Sequence, residues 1–383
     1  MWREKGCRNS TERDLYKASY SDYTTFTRYQ QHTDNQYPGG SFYNHNYGIT
    51  HTKPWGRMVM TKNTRRIRRN AKFARPRIVL PPLDKSIPKK PPFRTLQMQI
   101  AEIASRGDYV ELDKALDLLI EYGKRTTPGG DWETKTKIFQ AWVRNPQGEL
   151  PYQIFMLVGN IKLPFVTFST LPIATCPGAG ECMKWCYSFN CWRNCHPFFR
   201  QIMNTILLVN RDRRIKQAWQ AIPKDVDVRL YVDGDFDSRS TVRYWFDLCE
   251  KRPDLKVYGY SKSWAEIAGL RKFPSNYVLN LSSGSIHENN TRLMRRMESL
   301  PICRDWFKAV HLELPKSEKK RLKALKQGKY TDPVYKQAVR EAAAKLGIDK
   351  FFICPGQCGS CTKKQHACGS HRFDNIPVLI LIH

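Results

Sequence analysis

The stretch VDVRLYVDGDFD, residues 226–237, reads as a buried strand that runs into a glycine and three aspartates. The same texture repeats around it. Residues 153–170 (QIFMLVGNIKLPFVTFST), 255–261 (LKVYGYS), 276–282 (NYVLNLS), 307–314 (FKAVHLEL) and 350–354 (KFFIC) offer further strands. Helical patterns fall between them, over 198–222, 239–251, from Trp264, over 289–299 and through Leu346. Strands separated by helices of this length pair in parallel through right-handed crossovers. No glycine-rich dinucleotide turn follows any strand, so the pattern predicts an α/β fold built as a partial (βα)6, TIM-like barrel rather than a doubly wound sheet.

Outward from the barrel, expected over 151–353, the texture changes. Residues 96–150 read as a small helical segment: Leu96, Ile100 and Ile103, then Leu112, Ala115, Leu116, Leu118 and Leu119, mark two amphipathic helices broken near Gly107. Residues 1–95 form a basic arm rich in Tyr and Asn, without helical or strand periodicity, and are predicted to be largely disordered alone. Residues 354–383 are a Cys-rich segment followed by a final strand.

The chain carries 64 Lys and Arg against 35 Asp and Glu, a formal charge of +29, far beyond what solubility requires. Such an excess points to a polyanion, with nucleic acid the natural partner through the arm and a basic barrel surface. The charge concentrates in Lys62 to Arg77, KNTRRIRRNAKFARPR, which holds eight basic residues and no acidic one. Interleaved aromatic residues before it suit stacking on unpaired bases, although a solubilising or trafficking tail would look much the same. No apolar run approaches the ~20 residues that span a bilayer, and no signal peptide begins at Met1. The expected setting is the cytoplasm of a bacterium, or another reducing compartment.

Nine of the twelve cysteines fall in two clusters, Cys176, Cys182, Cys186, Cys191 and Cys195, then Cys354, Cys358, Cys361 and Cys368. In a long chain in a reducing compartment, thiolates at such spacing hold zinc or an iron-sulfur cluster rather than disulfides. Cys176, Cys182 and Cys186 are the metal candidates of the first cluster and all four cysteines those of the second. Cys191 and Cys195 are equally readable as buried thiols, and His366 and His371 lie within reach of the second cluster. Cys7, Cys249 and Cys303 stand alone.

In a barrel of parallel strands, function collects where strands end. The first cluster follows the first strand, Asp233-Gly234-Asp235-Phe236-Asp237 the second, Tyr260-Ser261-Lys262-Ser263 the third, and Cys354 the last. Both clusters therefore belong to one face, and neighbouring first and last strands would bring them together. Crowded carboxylates push one pKa up, which suits acid-base work or metal binding. Asp235 is the preferred catalytic residue, with Asp233 and Lys262 beside it; Asp237 or Ser238 also suits a helix cap, and an exposed lysine at a strand end also needs no role beyond solvation.

These parts carry a resemblance. Thr175-Cys176-Pro177-Gly178-Ala179-Gly180-Glu181-Cys182, Cys186-Tyr187, Gly234-Asp235-Phe236, Tyr260-Ser261-Lys262-Ser263 and Cys354-Pro355 with Cys358 and Cys361 resemble, in that order, the gene product 88 domain of bacteriophage and mobile-element proteins, over roughly residues 160–365. The resemblance implies a phage or plasmid setting more than a reaction.

A looser one, to radical S-adenosylmethionine enzymes, implies a cluster-binding cysteine triad after the first strand and a glycine-acid segment after the second that holds the cofactor. Cys176, Cys182 and Cys186 occupy the first place, with five and then three residues between them where that family has three and then two. Gly234 and Asp235 occupy the second, with Tyr260 nearby. Cys358, Cys361 and Cys368 are similar to the auxiliary-cluster extension of some of these enzymes.

Three functions compete. The first is an iron-sulfur, radical-type enzyme on nucleic acid that uses S-adenosylmethionine. The second is a base-modifying or base-exchanging enzyme similar to tRNA-guanine transglycosylases, with an Asp233 or Asp235 nucleophile and structural zinc. The third is a non-enzymatic zinc-stabilised protein that binds DNA or RNA. The sequence lacks the His-x-Glu and cysteine pair of a zinc deaminase and the phosphate loop of an ATPase.

Overall fold

The computed structural model describes residues 93–156, 165–325, 332–356, 358, 361 and 366–381. The basic arm, including Lys62 to Arg77, lies outside the described residues up to position 92, as does Cys7.

Three helices lead: α1 (Phe93–Ser105), α2 (Tyr109–Thr126) and α3 (Asp131–Arg144). The break between α1 and α2 falls where the sequence puts it. Gly107 takes a φ of +72°, and the Asp108 carboxylate accepts the amides of Val110 and Glu111, capping α2. The predicted apolar positions are buried except Leu118, which is 60% exposed. The third helix, α3, stacks Phe139 on Phe199 with ring centroids 4.9 Å apart, joining the preface to the main core.

The remainder alternates: β1 (Val166–Thr167), α4 (Ser188–Cys191), α5 (Cys195–Val209), α6 (Arg213–Gln220), β2 (Asp227–Leu230), α7 (Arg239–Glu250), β3 (Lys256–Ser261), α8 (Trp264–Ala268), β4 (Tyr277–Ser282), α9 (Thr291–Glu298), β5 (Cys303–Ala309), α10 (Lys316–Leu325), α11 (Pro333–Lys345), β6 (Phe352–Ile353) and β7 (Val378–Ile380). The single helix expected over 198–222 is two. Arg211 adopts a left-handed φ of 54°, and Asp212 accepts the Arg214 amide to start α6 afresh. The strand expected over 307–314 begins earlier and ends at Ala309, where a 3-10 turn takes over.

All seven strands pair in parallel, in the order β1-β2-β3-β4-β5-β7-β6. Parallel pairing puts the C-terminal ends of every strand along one edge, so both cysteine clusters do leave the sheet on the same side. Closure is different from the expectation. β7 sits between β5 and β6, and no pairing among the described residues joins β1 to β6. Both of those strands are two residues long and each already has a parallel partner, which leaves little ladder to close on.

The two sheet faces have different covers, as the alternation of side chains along a strand allows. Val257, Leu279 and Leu281 pack into the core with Trp219, Trp245 and Phe246 of the helices. On the opposite face, Tyr258, Val278 and Val378 pack with Phe165, Ala367 and Cys368. The Cys-rich segment thus lies across the sheet. It is pinned there by Asn280, whose Nδ2 donates to the Cys368 carbonyl at 2.7 Å. Arg304, 2% exposed, adds a second pin. Its Nε donates to Asn280 Oδ1 at 2.8 Å, and its Nη1 donates to the carbonyls of Phe373 and Ile376 at 3.1 and 2.8 Å.

Hydrogen bonds from a buried cation contribute about 1.5–3 kcal/mol each, and losing this one leaves several carbonyls without donors. Arg304→Met is expected to lower unfolding stability by about 3 kcal/mol in urea titration. A loss under about 1 kcal/mol would show that the segment is held by other means.

Candidate functional site

The loop after β1 is laid across the ends of the next three strands. Thr170 N donates to the Asp233 carbonyl at 3.0 Å, Ile286 N to the Gly178 carbonyl at 3.1 Å, and Gly180 N to the Gly284 carbonyl at 3.0 Å. Two glycines make the approach feasible. A Cβ on Gly178 would stand 1.8 Å from the Lys262 carbonyl oxygen, and one on Gly234, at a φ of +79°, would stand 2.0 Å from Thr170 Oγ1. The residues TCPGAG and DGD are therefore two sides of one backbone junction.

Cys176, Cys182 and Cys186 are gathered by this junction. Burial pushes all three thiols up, and each feels the charge of its neighbours. Next after burial, Cys176 is raised by the Asp235 carboxylate and by the other two thiols, Lys262 works against the rise at Cys182, and Ser188 against that at Cys186. Cys191 joins them beside Asp233 and Cys186, its thiol pushed up to about 11 by burial. Cys195 does not: it is buried at the start of α5, near Asp131 and Lys135 of α3. Cys249 and Cys303 stand apart from both groups.

The two carboxylates carry different loads. Asp235 is saturated: Oδ1 accepts from Phe236 N at 2.8 Å and Ser261 Oγ at 2.8 Å, and Oδ2 from Lys262 N at 2.7 Å and Ser263 N at 3.2 Å. It organises the loop after β3. Asp233, 7% exposed, has more freedom. Gln201 Nε2 donates to its Oδ2 at 3.0 Å and is itself held by Trp192. Its Oδ1 has no partner at full hydrogen-bond geometry, although the hydroxyls of Ser188 and Ser169 and the guanidiniums of Arg229 and Arg200 lie close enough to temper burial, which raises its pKa. Asp237 sits past the turn, and Ser238, not Asp237, caps α7. Lys262 donates from Nζ to Ser282 Oγ at 2.7 Å.

Tyr260 faces the other way. Alternation along β3 sends its side chain to the face covered by the Cys-rich segment, where Arg229 lies 4.6 Å over its ring. There the second group assembles: Cys354, Cys358, Cys361 and Cys368 line one small cavity with Tyr260 and His366. Cys354 and Cys368 are pushed up to about 12 and about 11 by burial. His366 Nε2 lies 3.4 Å from Asp227, and its ring rests against Phe165 and Tyr258. His371 pairs with Asp374 at 3.0 Å, away from the cavity. Arg229 connects the two groups, since it neighbours Asp233, Tyr187 and Cys358. The sequence reading did not single it out, because an arginine inside a strand is usually solvated at an edge.

The donors of both groups suit a thiophilic metal, since a thiol releases its proton to a bound cation. As placed, no three His, Cys, Asp or Glu side chains among the described residues stand close enough to share one ion.

A carboxylate raised by burial weakens a fold as it ionises. The unfolded chain releases its proton first, so stability falls as pH climbs from the ordinary Asp range through the raised value, and returns below it. Asp233→Asn is therefore expected to melt above the parent at about pH 7, by a margin that shrinks toward about pH 4. A lower melting point at neutral pH would mean that Arg200 and Arg229 fully satisfy the charge.

Comparison with curated proteins and with solved structures found no match. A family model, gene product 88, matches residues 133–368. That span runs from α3 through both cysteine groups, holds the ends of β1 to β6 and exceeds half of the chain: the protein belongs to the gene product 88 family.

Proposed function

We propose that this chain is a metalloprotein of phage or mobile-element type acting on nucleic acid, with Cys176, Cys182 and Cys186 holding an iron-sulfur cluster at the C-terminal edge of the sheet and S-adenosylmethionine as the cofactor. The observation that carries this reading is the junction itself. Three thiols from one loop are gathered beside Asp233, Gly234 and Asp235, at the end of the neighbouring parallel strand. Three thiolates leave one iron of a cluster open, which is what reactivity needs; four would close it. Such a cluster supplies single-electron reduction of the bound cofactor.

The chain's own residues have distinct work in this proposal. Asp235 holds the Ser261 hydroxyl and the amides of Lys262 and Ser263 in place and so presents Lys262, whose charge opposes the rise of the Cys182 thiol. Asp233, with an oxygen to spare, is the group available to a ligand's amino or hydroxyl function. The sequential order of β1 to β5, with crossovers that place helices on one face, supports the partial-barrel winding on which the radical-enzyme resemblance depends. The partner follows from charge: an excess of +29 is the electrostatic footprint of a nucleic-acid protein.

The test is anaerobic purification followed by iron, sulfide and zinc analysis. Iron and acid-labile sulfide bound to the parent, lost in Cys176→Ser, Cys182→Ser and Cys186→Ser, and accompanied by reductive cleavage of S-adenosylmethionine, are expected. Colourless protein containing zinc alone would overturn the cluster and leave an aspartate nucleophile, with Asp233 rather than the saturated Asp235 as the residue to replace.

The nucleic-acid half has its own measurement. Removing residues 1–92 is expected to weaken binding to single-stranded DNA and RNA and to flatten the slope of log affinity against log salt, since fewer phosphates are neutralised. An unchanged slope would take the arm out of the interface.

A further inference from the structure

We infer that Cys354, Cys358, Cys361 and Cys368 form a closed, single-ion tetrahedral site, zinc by donor type, that staples the C-terminal segment to the sheet, rather than a second multi-iron cluster. The inference rests on the metalloprotein reading but concerns the other group of thiols. Its first support is convergence. The four cysteines line one small cavity beside Tyr260 and His366, and four thiolates facing a common space are the donor set of a structural zinc ion.

The second support is the treatment of the sulfurs. Gly356 N donates to Cys354 Sγ at 3.4 Å and Ala367 N to Cys361 Sγ at 3.3 Å. Gly356 itself takes a left-handed φ of 73°, which glycine adopts without a steric cost. The Tyr260 hydroxyl reaches Cys368 and the Arg229 guanidinium reaches Cys358. Each of the four sulfurs thus has a donor, the outer arrangement that favours a thiolate ligand over a thiol.

Charge gives the third. Four thiolates around a divalent ion carry two net negative charges, and two arginines flank the group, Arg229 beside Cys358 and Arg304 beside Cys368. That explains a buried Arg229 Nε with no hydrogen-bond partner: its counter-charge is the site. His366 Nε2 lies 3.4 Å from Asp227, and a donor set of four sulfurs leaves no open position, which makes the site architectural. The sulfurs line the cavity without standing at one ion's ligand distance, so loading requires them to close on the ion.

The experiment uses the full chain bearing Cys176→Ser, Cys182→Ser and Cys186→Ser, titrated with cobalt(II) alone. One equivalent of cobalt, with the intense thiolate charge-transfer and visible bands of a tetrahedral site, displaced one for one by zinc and lost in Cys358→Ser, is expected. The converse variant, Cys358→Ser with Cys361→Ser in the parent background, should keep whatever iron the first group holds while losing its zinc and melting earlier. Stoichiometric iron and sulfide in the first variant, an octahedral cobalt spectrum, or zinc content unchanged in the converse variant would overturn the inference. Absence of iron from every variant would sink the proposed reactive cluster while leaving this site standing.

Discussion

Asp235 is buried against four donors, and the C-terminal edge of the sheet is organised around that fact. A buried carboxylate without partners costs several kcal/mol, so the chain must bring Phe236 N, Ser261 Oγ, Lys262 N and Ser263 N to it. Doing so brings the turns after β2 and β3 into register. Thr175 then links this pair to the loop after β1, since its Oγ1 accepts the Asp235 amide at 3.4 Å and donates to the Leu171 carbonyl at 2.7 Å. The cysteines of that loop are positioned by these links together with its backbone bonds to the end of β4, Ile286 N to the Gly178 carbonyl and Gly180 N to the Gly284 carbonyl.

The two thiol groups illustrate opposite uses of burial. In the first, the protein surrounds three thiols with carboxylates and one lysine at the exposed end of a parallel sheet, a setting with spare valences. In the second, it lines one cavity with four thiols, supplies each with a donor and flanks them with two arginines. Arg229 stands between the groups, and an arginine is suited to that position because its planar, permanently charged head can face a ring, a carboxylate and a sulfur together.

Much of this was legible in the residues. The βα alternation, the break near Gly107, the parallel pairing and the placement of Cys176, Asp233, Lys262 and Cys354 at strand ends all follow from periodicity and turn chemistry, which are local properties. The division at Arg211 escaped because Asp212 competes as a cap inside an otherwise continuous apolar pattern. The differing roles of Asp233 and Asp235 escaped because the donors that saturate one of them come from a strand 26 to 28 residues away.

By itself, then, the sequence determined which chemistry is present and on which edge of a parallel sheet it emerges, since strand direction and the residues following each strand are read along the chain. Only the tertiary structure decided the strand order, with β7 inserted between β5 and β6, and the passage of the Cys-rich segment over the sheet face. It also decided that Tyr260 serves the second group and not the first. These depend on contacts between residues about a hundred positions apart, such as Asn280 with Cys368, 88 residues away, and a pairing of that range leaves no periodicity for a sequence to display.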